Sequence, residues 1–332
     1  MRKIIAMILA LSLALSLCVM GAGAETATVS KEGRRVVEFW HCFGGAIGEA
    51  IQAIVDSYNA SQTEVYVEAT YQGAYDDTLT KLKTALPAGT GPDVFQMFEL
   101  GTAYLAATDY YVPFQDLLEQ DPYMSLNEVE GVLRNYYTVD VKMVCIPINP
   151  SSPIMYYNKT AFEKAGITEV PTTFDEIAAI SKQLTDANEG MDYAMGLYTY
   201  GWFFENFIAG MGLNYVNNDN GHTALATAIE FDSNGAGKAI LEKWKEMVDT
   251  GVVFNFGAAG GSNCNSAFQA GQVGIMLNST AGLTTITAGS DFEVGTAYLP
   301  KINADSEGGV IIGGANLWIV KNEDQQLVSD TW

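Results

Sequence analysis

The sequence predicts an α/β protein whose sheets are mostly parallel. Strand-like apolar runs alternate with helical stripes over the first hundred residues, and the alternation restarts in the second half. Of 332 residues, 48% are hydrophobic, enough to bury a real core. At roughly 150 residues per domain, the length corresponds to about two domains.

Residues 25–35 are polar and read as a disordered leader. Val36-Val37-Glu38-Phe39-Trp40 reads as a buried strand. Ile47, Ala50, Ile51, Ile54, Val55 and Tyr58 recur at helical spacing and predict one buried helix face. Val65–Tyr71 is the second strand, Tyr75–Leu86 a helix stopped by Pro87, and Asp93–Phe98 the third strand. In the second half, Ile154–Asn158 is a strand leading into a helix at Thr160–Ala165. Thr173-Phe174-Asp175-Glu176 has the form of a capping box, with Ile177, Ile180 and Leu184 as the buried stripe behind it. A helix over Gly237–Asp249 ends at Gly251, and the Gly/Ser/Asn-rich stretch 257–270 is a loop entering a short helix. Val273–Leu277 and Phe292–Leu299 are short strands.

Composition narrows the function. There are 39 acidic residues against 17 Lys and Arg, a net charge of −22. Such a surface has no basic patch to neutralise phosphates, which argues against nucleic-acid binding. Met1-Arg2-Lys3, the uncharged run Ile4–Ala24 and the ending Ala22-Gly23-Ala24 form the three parts of a cleavable export signal, residues 1–24. Its alternatives are an uncleaved anchor and lipid attachment at Cys18, although Leu17 is not the small residue that normally precedes such a cysteine. The other three cysteines, Cys42, Cys145 and Cys264, are odd in number and contain no C-x-x-C. They read as small buried apolar residues, with no disulfide framework and no zinc site.

No nucleophile elbow, phosphate loop or H-E-x-x-H motif is present. A His-based triad has only His41 and His222 to draw on, and His222 lies in an Asn/Asp/Gly loop where it reads as solvated. No catalytic residue, metal ligand or cofactor is assigned. Placement is more informative. Ligands of open α/β sheets sit beyond the carboxyl ends of the strands. Trp40-His41 end the first strand and Glu99 follows the third. Aromatic faces beside polar groups are what a polyol or sugar needs. The structural alternatives stay open: Trp40 as a core residue and Glu99 as a helix-cap carboxylate. Trp318, inside an apolar run, reads as core.

Several segments then carry a resemblance. They are Trp40-His41 followed by a Gly pair, Gly91-Pro92-Asp93-Val94, Glu99-Leu100-Gly101-Thr102-Ala103 and Asn149-Pro150-Ser151-Ser152-Pro153. Further along come Tyr156-Tyr157-Asn158-Lys159, Pro171–Glu176, Phe268-Gln269-Ala270-Gly271 and Ile311–Trp318. In order, over residues 36–332, the chain resembles extracellular solute-binding proteins of carbohydrate-type ABC importers, most of all their glycerol-3-phosphate-binding branch.

The resemblance implies the two-lobe, hinged (type II) periplasmic-binding-protein fold, an α/β architecture that traps ligand between its lobes. It implies an N-terminal lobe over 25–157, a C-terminal lobe over 158–312 and a return crossing over 313–332. Carried over residue by residue, the ligand contacts are Tyr75, Glu99, Ser151, Ser279 and the backbone of Gly314. Read alone, Ser279 is a loop serine, Gly314 a tight turn and Tyr75 a helix-start residue. The family's stacking Trp falls where this chain reads Tyr198-Thr199-Tyr200-Gly201-Trp202 with altered spacing, so Trp202 is the candidate equivalent. The family's closing helices, and an Arg expected at the phosphate, fall beyond Trp332, so the C-terminal portion is expected to be missing.

The expectation is therefore a monomeric binding protein at the periplasm or the extracellular face of the membrane. It delivers glycerol-3-phosphate or glycerophosphodiesters to an ABC permease and its ATPase. A neutral mono- or oligosaccharide is the alternative ligand. A secreted glycoside hydrolase, which needs two carboxylates ~5–9.5 Å apart, and a structural surface protein are the rivals from other classes.

Overall fold

The computed structural model describes residues 30–258, 260–324 and 328. The export signal and Cys18 lie outside the described residues. The chain forms two compact units: one holds the chain up to Ile146 and from Leu317 onward, the other Pro147–Asn316. The chain thus changes unit at 146/147 and 316/317, where the sequence expectation has 157/158 and 312/313.

The first unit is built on β1 (Arg34–His41), β2 (Val65–Tyr71) and β3 (Val94–Phe98). β1 lies between β2 and β3 and runs parallel to both, pairing Trp40 with Thr70 on one side and with Phe95 on the other. The expected disordered leader is ordered where it is described: Ser30–Lys31 pairs antiparallel with Arg34–Arg35. The Arg34 guanidinium donates to the carbonyl of Asn59 at 2.6 Å, which ties this hairpin down.

Helix α1 (Gly45–Ser61) occupies the predicted place, but its predicted face is not buried. Among its residues only Val55 and Asn59 are buried, and Ile54 is 70% exposed. A polar anchor accounts for this. The Asn59 amide accepts from Val67 N–H and donates to the Val67 carbonyl, both at 2.8 Å. The helix is held along β2 by its last turn, and of the predicted stripe only Val55 is buried and Ile51 half-buried, while Ile47, Ala50, Ile54 and Tyr58 are exposed.

Helix α2 (Tyr75–Ala88) starts where the Asp77 carboxylate accepts the Ala74 N–H at 3.1 Å. It includes Pro87 and ends at Gly89, two residues beyond the predicted stop. Pro87 lies in the last turn and has no N–H to donate back to Lys83, and the helix ends one residue later. After β3 come the short helices α3 (Thr102–Ala106), α4 (Phe114–Gln120) and α5 (Gly131–Tyr136).

β4 (Ile146–Ser151) carries the chain into the second unit. There β5 (Pro153–Asn158), β6 (Tyr193–Leu197), β7 (Val253–Asn255), β8 (Val273–Ser279) and β9 (Val294–Tyr298) form a sheet of order β7-β6-β8-β5-β9. β6 runs parallel to β7 and β8, but β5 is antiparallel to both of its neighbours. The expectation of a mostly parallel sheet is corrected here. Alternation of strand and helix indicates crossovers, and does not fix the direction of β5, which follows β4 with no helix between them.

The helices of this unit are α6 (Lys159–Lys164), α7 (Phe174–Ala187), α8 (Gly201–Gly210), α9 (Ala236–Asp249), α10 (Gly261–Gln269) and α11 (Leu283–Ala288). At the start of α7, Thr173 Oγ1 accepts from Glu176 N–H as expected. The return arm differs: the Glu176 carboxylate takes the N–H and hydroxyl of Thr172, one residue further out. Ile177 and Leu184 are fully buried and Ile180 half-buried. Cys42, Cys145 and Cys264 are free and buried.

Finally β10 (Gly313–Val320) pairs with β4 and leads back into the first unit's sheet, between β3 and the two-residue strand Tyr111–Val112. Trp318 is fully buried there, stacked on Phe95 and edge-on to Tyr111.

Candidate functional site

In the first unit the parallel strands deliver their carboxyl ends to one side of the sheet, and the predicted residues are found there. His41 is the last residue of β1, Tyr75 opens the helix after β2, and Glu99 follows β3 directly. Aromatic rings connect the three loops. Tyr75 stacks on Phe98 with ring centroids 4.8 Å apart, and Phe43 packs edge-on against Tyr75 at 5.7 Å.

Glu99 is 8% exposed, an unusual state for a carboxylate without a purpose. Its backbone carbonyl accepts from Tyr136 Oη at 3.0 Å, which fixes the short 3-10 turn that carries it. Tyr136, Phe43 and Phe98 were not singled out from the sequence. Phe98 had a signal available: it is the last residue of a strand and immediately precedes the singled-out acid.

Trp40 and His41 are adjacent in an extended strand and so point to opposite faces. Trp40 is half-buried, whereas His41 is buried between the rings of Phe39 and Tyr71. Burial pulls the His41 imidazole below the ordinary histidine range, partly offset by a hydrogen bond with the Phe43 backbone. Among the described residues its Nδ1 has no hydrogen-bond partner.

In the second unit, Ser151, Trp202 and the glycine pair 313–314 converge. A Cβ added to Gly313 would lie 2.7 Å from Trp202 Cζ2 and 3.2 Å from Ser151 Oγ. Gly314 has φ +106°, and a side chain there would collide with the Asn149 carbonyl. Only a backbone without side chains can run between the indole, the serine hydroxyl and the Asn149-Pro150 segment. Trp202 Nε1 donates to the Ile312 carbonyl at 3.4 Å, and Asn149 Oδ1 accepts from Ala315 N–H at 3.1 Å. Trp202 is 7% exposed and belongs to the unit's apolar core. It therefore offers at most an edge of its ring, and exposed Tyr200 beside it presents more aromatic surface.

Ser279 ends β8 and lies opposite Pro153 in the neighbouring strand. The following residue, Thr280, donates its N–H to the Ser152 carbonyl and accepts Ser152 N–H on its hydroxyl. Ser279 Oγ accepts from Ala281 N–H at 3.1 Å, and its carbonyl accepts from Tyr156 Oη at 2.7 Å. The capping role is thus present, and among the described residues the hydroxyl proton has no acceptor. Glu205, one turn after Trp202 on α8, is half-buried, and burial raises its carboxyl above the usual range. His222 is exposed in its loop.

Among the described residues, no group of three or more His, Cys, Asp or Glu is placed to hold a metal ion, and no helix is long and apolar enough to cross a membrane. The two residue sets therefore offer hydrogen bonds, a carboxylate and ring faces.

Comparison with known proteins agrees with that chemistry. Residues 53–331 match the family described as bacterial extracellular solute-binding protein. The sn-glycerol-3-phosphate-binding periplasmic protein UgpB of Pectobacterium atrosepticum is 31% identical over 316 residues, covering 92% of this chain and 68% of that protein. The crystal structure of UgpB from Mycobacterium tuberculosis in complex with glycerophosphocholine superposes with a TM-score of 0.74 at 21% identity, covering 90% of this chain and 73% of that one. A cyclic α-maltosyl-1,6-maltose binding protein from Arthrobacter globiformis superposes with a TM-score of 0.68 at 27% identity, covering 90% and 73%. The α/β units are those of the two-lobe periplasmic-binding-protein fold, and the chain belongs to the bacterial extracellular solute-binding proteins of the carbohydrate-type ABC importers.

Proposed function

We propose that this protein captures glycerol-3-phosphate or a glycerophosphodiester outside the cytoplasmic membrane and hands it to an ABC permease powered by an ATPase. The reading is carried by one observation within each unit: Glu99 is a buried carboxylate directly after β3, and Ser151 lies beside the Gly313–Gly314 backbone. Glu99 accepts glycerol hydroxyls, Tyr75 donates its phenol, and Ser151, Ser279 and the Gly314 N–H supply donors to ligand oxygens. Trp40, His41 and Trp202 contribute packing around them. Residues 1–24 export the chain and are removed, and the mature protein works as a monomer. As in its family, the role is binding without catalysis.

A second reading is a neutral mono- or oligosaccharide. It is favoured by the chemistry of the assigned residues, since a carboxylate, serine hydroxyls and ring faces suit sugar hydroxyls and C–H faces. The maltosyl-maltose binding protein named above supports the same alternative.

The test is titration calorimetry with glycerol-3-phosphate, glycerophosphocholine and maltose, repeated with Glu99→Gln and Ser151→Ala. Saturable heat with either phosphate ligand, weakened by both substitutions, supports the first reading. Heat with maltose alone transfers the support to the second. Turnover of a chromogenic glycoside would overturn both.

A further inference from the structure

The segment that leads into the glycine pair is held from behind by one side chain. Asn206 lies on α8 and is fully buried. Its Oδ1 accepts the Ile311 N–H at 2.8 Å, and its Nδ2 donates to the Trp202 carbonyl at 2.7 Å. The same segment is tied to the end of α8 by the Gly308 N–H, which donates to the Gly210 carbonyl at 2.9 Å. At its other end, Trp202 Nε1 reaches the Ile312 carbonyl. One amide therefore joins the backbone beneath Trp202 to the backbone two residues before Gly313.

A buried amide with both ends occupied is a positional constraint as well as a stabilising contact. Slippage of the 311–314 segment along α8 would leave the buried Asn206 Oδ1 without its partner. The spacing under control is tight, because a single added Cβ at Gly313 would reach both Trp202 and Ser151.

We infer that Asn206 is a positioning residue for ligand binding: it sets the register of Ile311–Gly314 against Trp202 and Ser151, and so fixes where the Gly313–Gly314 backbone lies beside Ser151. Its bearing on ligand rests on the reading of Gly314 and Ser151 as contacts. The register itself does not depend on that reading and is measured without ligand.

The experiment is amide hydrogen exchange on the full chain, comparing wild type with Asn206→Ala and Asn206→Asp, alongside thermal melts and titration with glycerol-3-phosphate and maltose. Asn206→Ala removes the acceptor of Ile311 N–H, and exchange at residues 311–314 should rise about tenfold while β6 and β8 keep their protection. Asn206→Asp keeps that acceptor but buries a charge, so it should melt lower yet retain protection at 311–314. This crossed pattern supports the inference, because a residue that only fills the core would make protection and melting temperature fall together. Unchanged exchange at 311–314 in a folded Asn206→Ala chain overturns it, as does uniform loosening of the unit in both variants. If Asn206→Ala does not fold, protection at 311–314 in Asn206→Asp decides alone. If wild type binds no ligand, the functional reading fails while the exchange result still decides the register. If wild type binds, Asn206→Ala should bind about tenfold more weakly, and undiminished affinity overturns the ligand role.

Discussion

Tyr75 lies flat on Phe98, ring centroids 4.8 Å apart and planes 9° from parallel, although 22 residues separate the two along the chain. The stack joins the loop after β2 to the end of β3, directly beside Glu99. Tyr75→Phe keeps the ring and loses the phenol, so it should weaken ligand binding by about tenfold. Tyr75→Ala removes the stack as well, and should cost about 1 kcal/mol or more of stability in a urea titration.

Gly313→Ala tests the other residue set. The new methyl would meet the indole edge of Trp202 at 2.7 Å. Overpacking of this kind costs roughly 1–3 kcal/mol, and Trp202 emission should shift as the ring moves. Adding Trp202→Phe should recover part of the lost stability, and a double-mutant cycle reads the coupling directly.

Asn59 is the polar anchor of α1. Asn59→Ala abandons the N–H and carbonyl of Val67 together, and should lower the free energy of unfolding by about 2–3 kcal/mol. Ile54→Ser, at an exposed position of the same helix, should change it by less than about 0.5 kcal/mol.

Glu205 gives a prediction about pH. Burial raises its carboxyl above the usual range, so the folded protein holds this proton more tightly than the unfolded chain does. Its contribution is fully present below the ordinary glutamate value and is lost as pH rises through the raised one. Glu205→Gln should therefore unfold at higher denaturant than wild type at neutral pH, with the gap closing as pH falls below the ordinary glutamate range.

Cys42 and Cys264 are pushed up by burial to about 11 and about 12 respectively, and Cys145 well above its ordinary value. All three should resist iodoacetamide at pH 8 in the native state and react in denaturant, as intact-mass analysis would show.

Much of the molecule was legible because local rules and tertiary packing agree in it. The strand ending in His41, the Thr173 cap and buried Trp318 follow from periodicity and turn chemistry. The place of Glu99, directly after β3, was legible because the apolar run of that strand ends at Phe98. The α1 stripe misled because Asn59, reading as an ordinary polar residue, decides which face meets the sheet. The direction of β5 was not legible, since strand pairing is a non-local property. The convergence of Ser151, Trp202 and Gly313, which are 51 and 111 residues apart in succession, has no signal in spacing. The double glycine marked a close approach without saying to what.

The second unit is spliced into the first: Pro147–Asn316 is complete before the chain returns along the second half of β10. On a ribosome, β3 emerges more than 200 residues before the strand that must lie beside it. At ~5–20 residues per second, that is a wait of about ten seconds or more. During that time Phe95 has no Trp318 to cover it, and the half-built sheet offers an open edge to any other strand. Newly made first units are thus the stage at which this protein most needs a chaperone, and a nascent chain stalled after Asn316 should aggregate through β3 while its second unit is already folded.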